Sequence, residues 1–206
     1  MKYERIENTE DLMIVGISDA SFKTDDKPVG GVFLFRANSA MNRASPIYWK
    51  AKQIERVCHS SKGAETLNFL KIGEASVFSA NQLELLLYGD VCGRIPVCLF
   101  IDSESTLESV ASSMEIITKT LQMTIVDLKE RLLKGDITKY SWLLTEGMWA
   151  DLLTKERTLS EDLEDVLIRN NMNLQDTSIN EVKAFRQEVR MTIIQNCKAI
   201  EIDDGE

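Results

Sequence analysis

The order in which short apolar runs and longer helical patterns follow one another constrains the fold of this chain more than any other feature. Three short apolar runs come first, and turn residues separate them. These runs lie at residues 13–19, 32–35 and 47–52. Three such runs in series predict an antiparallel meander of β-strands.

The pattern then changes to that of a long helix. Ser60 and Ser61 offer an N-cap, and apolar residues recur on more than one side of the helix as far as Tyr88. A helix that is apolar over much of its circumference is usually buried against a sheet. A buried strand, two helices, a fifth strand and one more helix are predicted next, at residues 96–102, 103–114, 119–134, 137–144 and 149–154.

The resulting order, β-β-β-α-β-α-α-β-α, joins a meander to a strand–helix–strand unit. It predicts an α/β fold with a five-stranded mixed sheet on which the helices pack. Two further helices are predicted near residues 159–171 and 178–198, and an acidic end follows them.

Charge divides the chain into two parts. The 206 residues carry a formal net charge of −9, and residues 156–206 contain 12 acidic and 6 basic residues, a net of −6. We therefore predict a body at residues 1–157 and an acidic helical C-terminal extension at residues 158–206. The charge argues against passive adhesion to nucleic acid or to an anionic membrane, but it does not exclude a nucleic-acid enzyme that uses metal ions.

The sequence also argues against several other classes of protein. It contains no apolar stretch of the length of a transmembrane helix, and its N-terminus lacks the pattern of a signal peptide. None of the four cysteines is spaced as in a zinc site, and His59 is the one histidine, which disfavours a catalytic triad. We therefore expect reduced thiols in an intracellular protein without membrane contact.

Four acidic residues lie where the predicted elements make them informative. Asp19 ends the first strand, Asp102 ends the fourth, Glu65 lies near the beginning of the long helix, and Asp151 begins the last helix of the body. A single strand-end aspartate is ordinarily a turn residue or a helix cap. Four converging carboxylates would repel one another, and hard divalent cations such as Mg²⁺ relieve this repulsion because they prefer carboxylate oxygens as ligands.

These acidic residues lie within a series of motifs typical of one family. The motifs are Ser18-Asp19-Ala20-Ser21-Phe22, Trp49-Lys50-Ala51-Lys52 with Arg56-Val57, Ala64-Glu65-Thr66-Leu67, Ile101-Asp102-Ser103, Leu128-Lys129-Glu130 with Lys134-Gly135-Asp136-Ile137, and Thr145-Glu146 with Ala150-Asp151-Leu152-Leu153-Thr154-Lys155. In this order and spacing they resemble the ribonuclease H domain of copia-type retrotransposon polyproteins, from about residue 13 to residue 156. The acidic order Asp, Glu, Asp, Asp differs from the Asp, Asp, Glu order of integrases, which share the fold.

The resemblance implies a ribonuclease H-like fold, with helices on both faces of the sheet, and an endonuclease that hydrolyses the RNA strand of RNA–DNA hybrids. It implies two Mg²⁺ ions roughly 4 Å apart, with Mn²⁺ as a substitute. Asp19 would bridge both ions, Glu65 and Asp102 would hold the ion at the leaving group, and Asp151 would hold the ion at the nucleophile. The implied partners are the RNA–DNA hybrid and a reverse transcriptase domain or another protein that the extension binds. The compartment could be the cytoplasm, the nucleus or a virus-like particle.

Several other residues are candidates for contacts with the substrate, and each has an alternative role. Trp49, Lys50 and Lys52 would stack on and pair with a nucleic-acid backbone, or Trp49 would simply pack beside two exposed lysines. Ser103 would contact the substrate or cap a helix. Trp149 would stack on the substrate or close the core.

Two functions of different classes therefore remain. The first is a metal-dependent ribonuclease H, and the intact set of four carboxylates favours it. The second is a domesticated ribonuclease H fold that no longer cuts and acts as a binding or structural module in a complex. The net charge of −9 and the acidic extension favour this second function. The enzyme is the better supported of the two, since a chain freed from catalysis has no physical reason to keep four mutually repelling carboxylates.

Overall fold

The computed structural model describes residues 11–22, 27–111, 119–143, 148–155, 161–172 and 174. Its strands are β1 (Leu12–Ser21), β2 (Val29–Asn38), β3 (Ala44–Gln53), β4 (Val97–Ile101) and β5 (Lys139–Trp142). Its helices are α1 (Ser61–Tyr88), α2 (Glu104–Ala111), α3 (Lys119–Lys134), α4 (Asp151–Thr154) and α5 (Glu161–Arg169). The first three strands are longer than their apolar runs because the antiparallel pairing of the meander continues into the flanking residues.

The five strands form one mixed sheet in the order β3-β2-β1-β4-β5. The meander β1–β2–β3 is antiparallel, whereas β4 pairs parallel to β1 and β5 pairs parallel to β4. This strand order and these directions are those of the ribonuclease H-like α/β fold, so the fold class expected from the sequence is confirmed.

Helices cover both faces of the sheet, as the resemblance implied. On one face, α1 packs with α3 on a core that contains Ile14, Leu34 and Leu99. On the other face, α4 and α5 pack on a core that contains Val15, Phe35 and Phe100. Neighbouring residues of β1 thus face two different cores, which is why its sequence is a nearly continuous apolar run.

The long helix α1 begins at the predicted cap. The Ser60 hydroxyl accepts a hydrogen bond from the backbone N–H of Gly63 at 3.1 Å, and Gly89 ends the helix with a left-handed φ of 81°. The side of α1 that carries Ile72 and Ser76 is buried on the sheet. Phe78, one of the apolar residues of this helix, is 65% exposed because it lies on the side of the helix opposite Ser76.

The first part of the acidic extension lies against the meander. Leu163 and Val166 of α5 are fully buried in the core that also contains Phe35. Just after α5, the Asn170 carbonyl accepts a hydrogen bond from the backbone N–H of Ala44 at 2.9 Å. The boundary at residue 157 stays a prediction, and the second predicted helix, at residues 178–198, lies outside the described residues. Among the described helices, none has the length and the apolar character needed to cross a membrane.

We predict that Gly31→Ala destabilises the fold, because Gly31 lets α4 approach the sheet. A Cβ atom at this position would lie 2.8 Å from the Ala150 carbonyl oxygen and 2.8 Å from the Leu153 Cβ. We expect a loss of about 1–3 kcal/mol in the free energy of unfolding, measured by urea denaturation.

Gly63→Ala is the matched control. A Cβ atom there would meet only the Ser60 hydroxyl, at 3.5 Å, so the helix propensity of alanine should stabilise α1 by about 0.5–1 kcal/mol. Equal effects of the two substitutions would contradict the close approach of α4.

Candidate metal centre

Three of the four predicted carboxylates meet at one end of the sheet. Asp19 lies near the end of β1, and Asp102 directly follows β4. Because β1 and β4 are parallel neighbours, with Ser18 opposite Ile101, their carboxyl ends lie side by side. Glu65 reaches the same place from the second turn of α1. One carboxylate oxygen from each of Asp19, Glu65 and Asp102 lies within 4.8 Å of the others.

The protein does little to neutralise Glu65. Burial, together with the negative charges of the nearby Asp19 and Asp102, raises its pKa to about 8. Its Oε2 atom is buried and has no hydrogen-bond partner. This oxygen atom is thus removed from water and gains no hydrogen bond in exchange. That loss costs free energy unless a cation binds there.

Glu84, on the same helix, shows what a structurally satisfied glutamate looks like. It is 1% exposed, and its carboxylate accepts hydrogen bonds from the backbone N–H groups of Cys92, Gly93 and Ile95 at 2.7–2.9 Å. Although burial acts against its charge, these donors lower the pKa of Glu84. Glu65 therefore differs from Glu84 in lacking such donors at Oε2, and the chemistry of three clustered carboxylates fits a hard divalent cation.

Asp19 is held more firmly than Glu65. Its side chain is 2% exposed and accepts a hydrogen bond from the Thr154 hydroxyl. Burial raises the pKa of Asp19 to about 6, and Thr154 and the ammonium group of Lys155 limit the increase. The Asp19 carboxylate is thus oriented from α4, on the opposite face of the sheet from Glu65.

Asp151, the fourth predicted carboxylate, is joined to this group through a lysine. It begins α4 and is 1% exposed. The Lys155 Nζ atom lies 2.5 Å from Asp151 Oδ1 and 3.9 Å from Asp19 Oδ2. Although partial burial disfavours its charge, the hydrogen bond to Asp151 and the charge of Asp19 raise the pKa of Lys155. Lys155 therefore balances part of the negative charge between these two carboxylates.

The roles of Thr154 and Lys155 were not predicted from the sequence. Both belong to the motif around Asp151, and they follow it by three and four residues. That spacing places them on the same side of a helix as Asp151, and it was the one signal available.

Two tryptophans have clear structural positions. Trp149 is 2% exposed, and its ring meets the edge of Phe35 at 5.6 Å between centroids, so it closes the core. Trp49 is 48% exposed and lies opposite Phe33, on the face of the sheet that carries α4 and α5. Only Trp49 of these two is accessible to a substrate.

The remaining predicted contacts lie on either side of the carboxylates. Lys50 and Lys52 are exposed residues of β3 that point to the face carrying α1, opposite to that of Trp49. Ser103, next to Asp102, lies at the N-cap position of α2, where its Oγ atom is 2.9 Å from Thr106 Oγ1. Thr106 Oγ1 in turn lies 3.3 Å from Thr66 Oγ1. These hydroxyl contacts connect the start of α2, next to Asp102, with the part of α1 that carries Glu65.

No protein-family model and no curated protein sequence matches this chain. Solved structures similar to it include the N-terminal RNase H domain of a Mycobacterium tuberculosis protein, at 14% identity and a TM-score of 0.46, covering 69% of this chain and 91% of that one. LC11-RNase H1 in complex with an RNA/DNA hybrid has 13% identity and a TM-score of 0.47, covering 68% and 92%. The protease–reverse transcriptase of prototype foamy virus has 18% identity and a TM-score of 0.42, covering 73% and 21%. At these identities, the chemistry has to be inferred from the side chains of this chain.

We predict that, without divalent cations, the protein loses stability as the pH rises from about 4.5 to about 8. The pKa of Glu65 in the folded chain, about 8, lies above its ordinary value of 4.5, so the folded state binds the proton more tightly. The stabilising effect of that proton is complete below pH 4.5 and is lost as the pH rises through 8. Glu65→Gln should therefore stabilise the protein at pH 8 by on the order of 2 kcal/mol, less than the full shift implies because Glu65 is partly exposed.

Glu84→Gln is the matched control on the same helix. Its lowered pKa gives the opposite sign, so this substitution should destabilise the protein at pH 8. Urea denaturation in EDTA at several pH values measures both effects. Destabilisation by Glu65→Gln at pH 8 would contradict the raised pKa of Glu65.

Lys155→Met should destabilise the protein in EDTA at pH 7 by about 1–3 kcal/mol, because two buried carboxylates lose their nearby ammonium group. Lys134→Met is the control, since Lys134 forms a pair of the same spacing with Glu130, at 2.8 Å on the surface. Loss of that exposed pair should cost less than about 0.5 kcal/mol. Thermal melts that gave the same change for both variants would show that Lys155 does not balance the site.

Proposed function

We propose that this protein is a metal-dependent endoribonuclease that hydrolyses the RNA strand of RNA–DNA hybrids by a two-metal mechanism. The observation that carries the proposal is the cluster of Asp19, Glu65 and Asp102 at the junction of β1 and β4, with their ligand oxygens within 4.8 Å of one another. The buried Oε2 atom of Glu65, which accepts no hydrogen bond, supports a cation at this place.

Asp19, Glu65 and Asp102 would hold one divalent cation, and Asp151 would complete the site for a second cation that it shares with Asp19. Bound there, Mg²⁺ would activate a water molecule and stabilise the leaving oxygen of the phosphodiester. Thr154 orients the Asp19 carboxylate from below the sheet. Lys155 holds Asp19 and Asp151 on one side of the site and limits their repulsion.

The substrate and the origin of the chain are further parts of the proposal. Preference for an RNA strand would come from contacts with 2′-hydroxyl groups. Trp49 and Ser103 would contact the nucleic acid on either side of the carboxylates. The motif series around Glu65 and Asp151 supports an origin in a copia-type retrotransposon, with a reverse transcriptase domain or another protein as the partner.

One observation favours a second function, that of a binding module that does not cut. The Lys155 Nζ atom lies 2.5 Å from Asp151 Oδ1, where it already neutralises the fourth carboxylate. In a chain that keeps the fold but not the chemistry, this ammonium group would replace a cation permanently. Hydrolysis of a hybrid, compared with binding of the same hybrid, separates the two functions.

We predict that the protein cleaves the RNA strand of a labelled RNA–DNA hybrid with Mg²⁺ and not in EDTA. Asp102→Asn should reduce the rate by at least about a hundredfold, since even an outer partner of a metal ligand contributes 10–100-fold. The same substitution should leave the fold as stable or more stable in EDTA, because Asp102 raises the pKa of both Asp19 and Glu65 by repulsion.

Asp136→Asn, on an exposed turn before β5, is the control of equal charge and should cleave at the rate of the natural chain. Binding of the hybrid without cleavage by the natural chain would support the second function. A marked loss of stability in Asp102→Asn would mean that Asp102 has a structural role.

A further inference from the structure

A basic groove lies beside the carboxylate cluster, between α1 and the edge strand β3. Its cavity has a volume of about 230 Å³. The groove is lined by residues of β2, β3 and α1, among them Gly30, Tyr48, Lys50, Lys52, Asn68 and Lys71. We use the term basic groove for this cavity and these residues.

The groove is open because α1 crosses the sheet over β1 and not over the edge strand. The alternation of β3 directs Tyr48, Lys50 and Lys52 to the face that carries α1. Tyr48 is 39% exposed, and both lysines are exposed. Lys71 closes the groove from the side of the helix. Three ammonium groups thus surround one cavity on a protein whose net charge is −9.

Lys52 and Lys71 are close enough to act on the same charge. Glu55 pairs with Lys52, and the positive charges of Lys52, Lys71 and Lys27 together lower the pKa of Glu55. Lys27 therefore extends the positive region toward the end of β3. One acidic partner leaves this group with a positive net charge, so an anion is the ligand that it favours.

The position of the basic groove relative to the carboxylates is fixed by Asn68. This side chain is 3% exposed and donates hydrogen bonds to the backbone carbonyls of Asp19 at 2.8 Å and Gly31 at 2.9 Å. Gly30 makes room for it, because a Cβ atom there would overlap the Asn68 Oδ1 atom. Asn68 is thus shared between the wall of the basic groove and the strand that carries Asp19.

The basic groove and the carboxylate cluster are close enough for one nucleic-acid strand to contact both. Lys52 lies opposite Gly30, and Gly30 lies opposite Ala20, the residue after Asp19. Two strand spacings give roughly 10 Å between the backbones of Lys52 and Ala20. This corresponds to about three nucleotides at 3.4 Å of rise per nucleotide along the helix axis. A nucleic acid bound at the carboxylates would therefore pass the basic groove within a few nucleotides.

We propose that the basic groove binds backbone phosphates of the nucleic acid a few nucleotides from the carboxylate cluster, with Lys50 and Lys71 as the contacting residues. The inference rests on the proposed function and assigns the substrate a path across the edge of the sheet. The cavity of about 230 Å³ is smaller than the 300–1,000 Å³ of sites for drug-sized ligands, so a phosphate with its sugar fits it better than a free nucleotide cofactor. Lysines bind phosphates without regard to sequence, so the contact adds affinity and not base specificity.

The test measures how the affinity for a short labelled RNA–DNA hybrid depends on salt. Fluorescence anisotropy with the 206-residue Asp102→Asn chain in Mg²⁺ reports binding without cleavage. Each phosphate contact contributes about 0.9 to the slope of log K against log salt concentration. Adding Lys50→Gln and Lys71→Gln should therefore reduce the slope by about 2 and weaken binding at low salt. Arg94→Gln with Lys134→Gln, which removes the same charge from the loop after α1 and from the end of α3, should leave the slope unchanged.

Cleavage of the hybrid by the natural chain is measured in parallel, so that the two proposals fail separately. An unchanged slope in Lys50→Gln/Lys71→Gln, with cleavage by the natural chain, would overturn the basic groove alone. Equal reductions in this variant and in the control would also overturn it, because the effect would then come from net charge. A smaller slope in this variant alone supports the basic groove, even if the natural chain binds the hybrid without cutting it. Absence of binding would overturn both proposals.

Discussion

The parallel pairing of β1 with β4 is the constraint on which the candidate site depends. The two strands are neighbours in register from Ile14 and Val97 to Ser18 and Ile101, so their carboxyl ends meet. Asp19 and Asp102 are then held close together even though their negative charges repel each other. Burial of the apolar side chains of both strands stabilises this pairing, since each strand contributes residues to the cores on the two faces of the sheet. The fold thus holds together acids that would separate on their own.

The rest of the structure reduces the repulsion between these carboxylates from one face of the sheet only. On the face of α4, Thr154 and Lys155 contact Asp19, and Gly31 lets the helix approach closely enough for this. On the face of α1, burial and the neighbouring carboxylates raise the pKa of Glu65, and its Oε2 atom has no hydrogen-bond partner. Lys155 therefore neutralises part of the negative charge at Asp19 and Asp151, whereas Glu65 forms no ion pair among the described residues. A cation bound beside Glu65 would thus gain more free energy than one bound beside Asp151 alone.

The sequence predicted the elements and the approach of the carboxylates better than it predicted their surroundings. Strand periods and the cap at Ser60 are local signals, and they gave the order of the elements and the mixed sheet. The contact of Lys155 with Asp19 depends on how α4 docks on β2, and the basic groove depends on where α1 crosses the sheet. Both are tertiary features that no local spacing encodes. Phe78 shows the same limit, because its apolar character did not reveal which side of α1 faces the sheet.

The contrast between Glu65 and Glu84 bears on the choice between an enzyme and a binding module. Both are glutamates of α1 removed at least in part from water, and the chain surrounds Glu84 with three backbone donors. A purely structural protein could replace Glu65 with glutamine and remove the repulsion from Asp19 and Asp102 at no cost in packing volume. The pair of Asp151 and Lys155 fits either function, since a lysine can stabilise an acid in a site that cuts or in one that does not. Because Glu65 lacks the direct ion pair that Asp151 forms with Lys155, Glu65 carries more weight in this choice, and it favours a site that binds a cation.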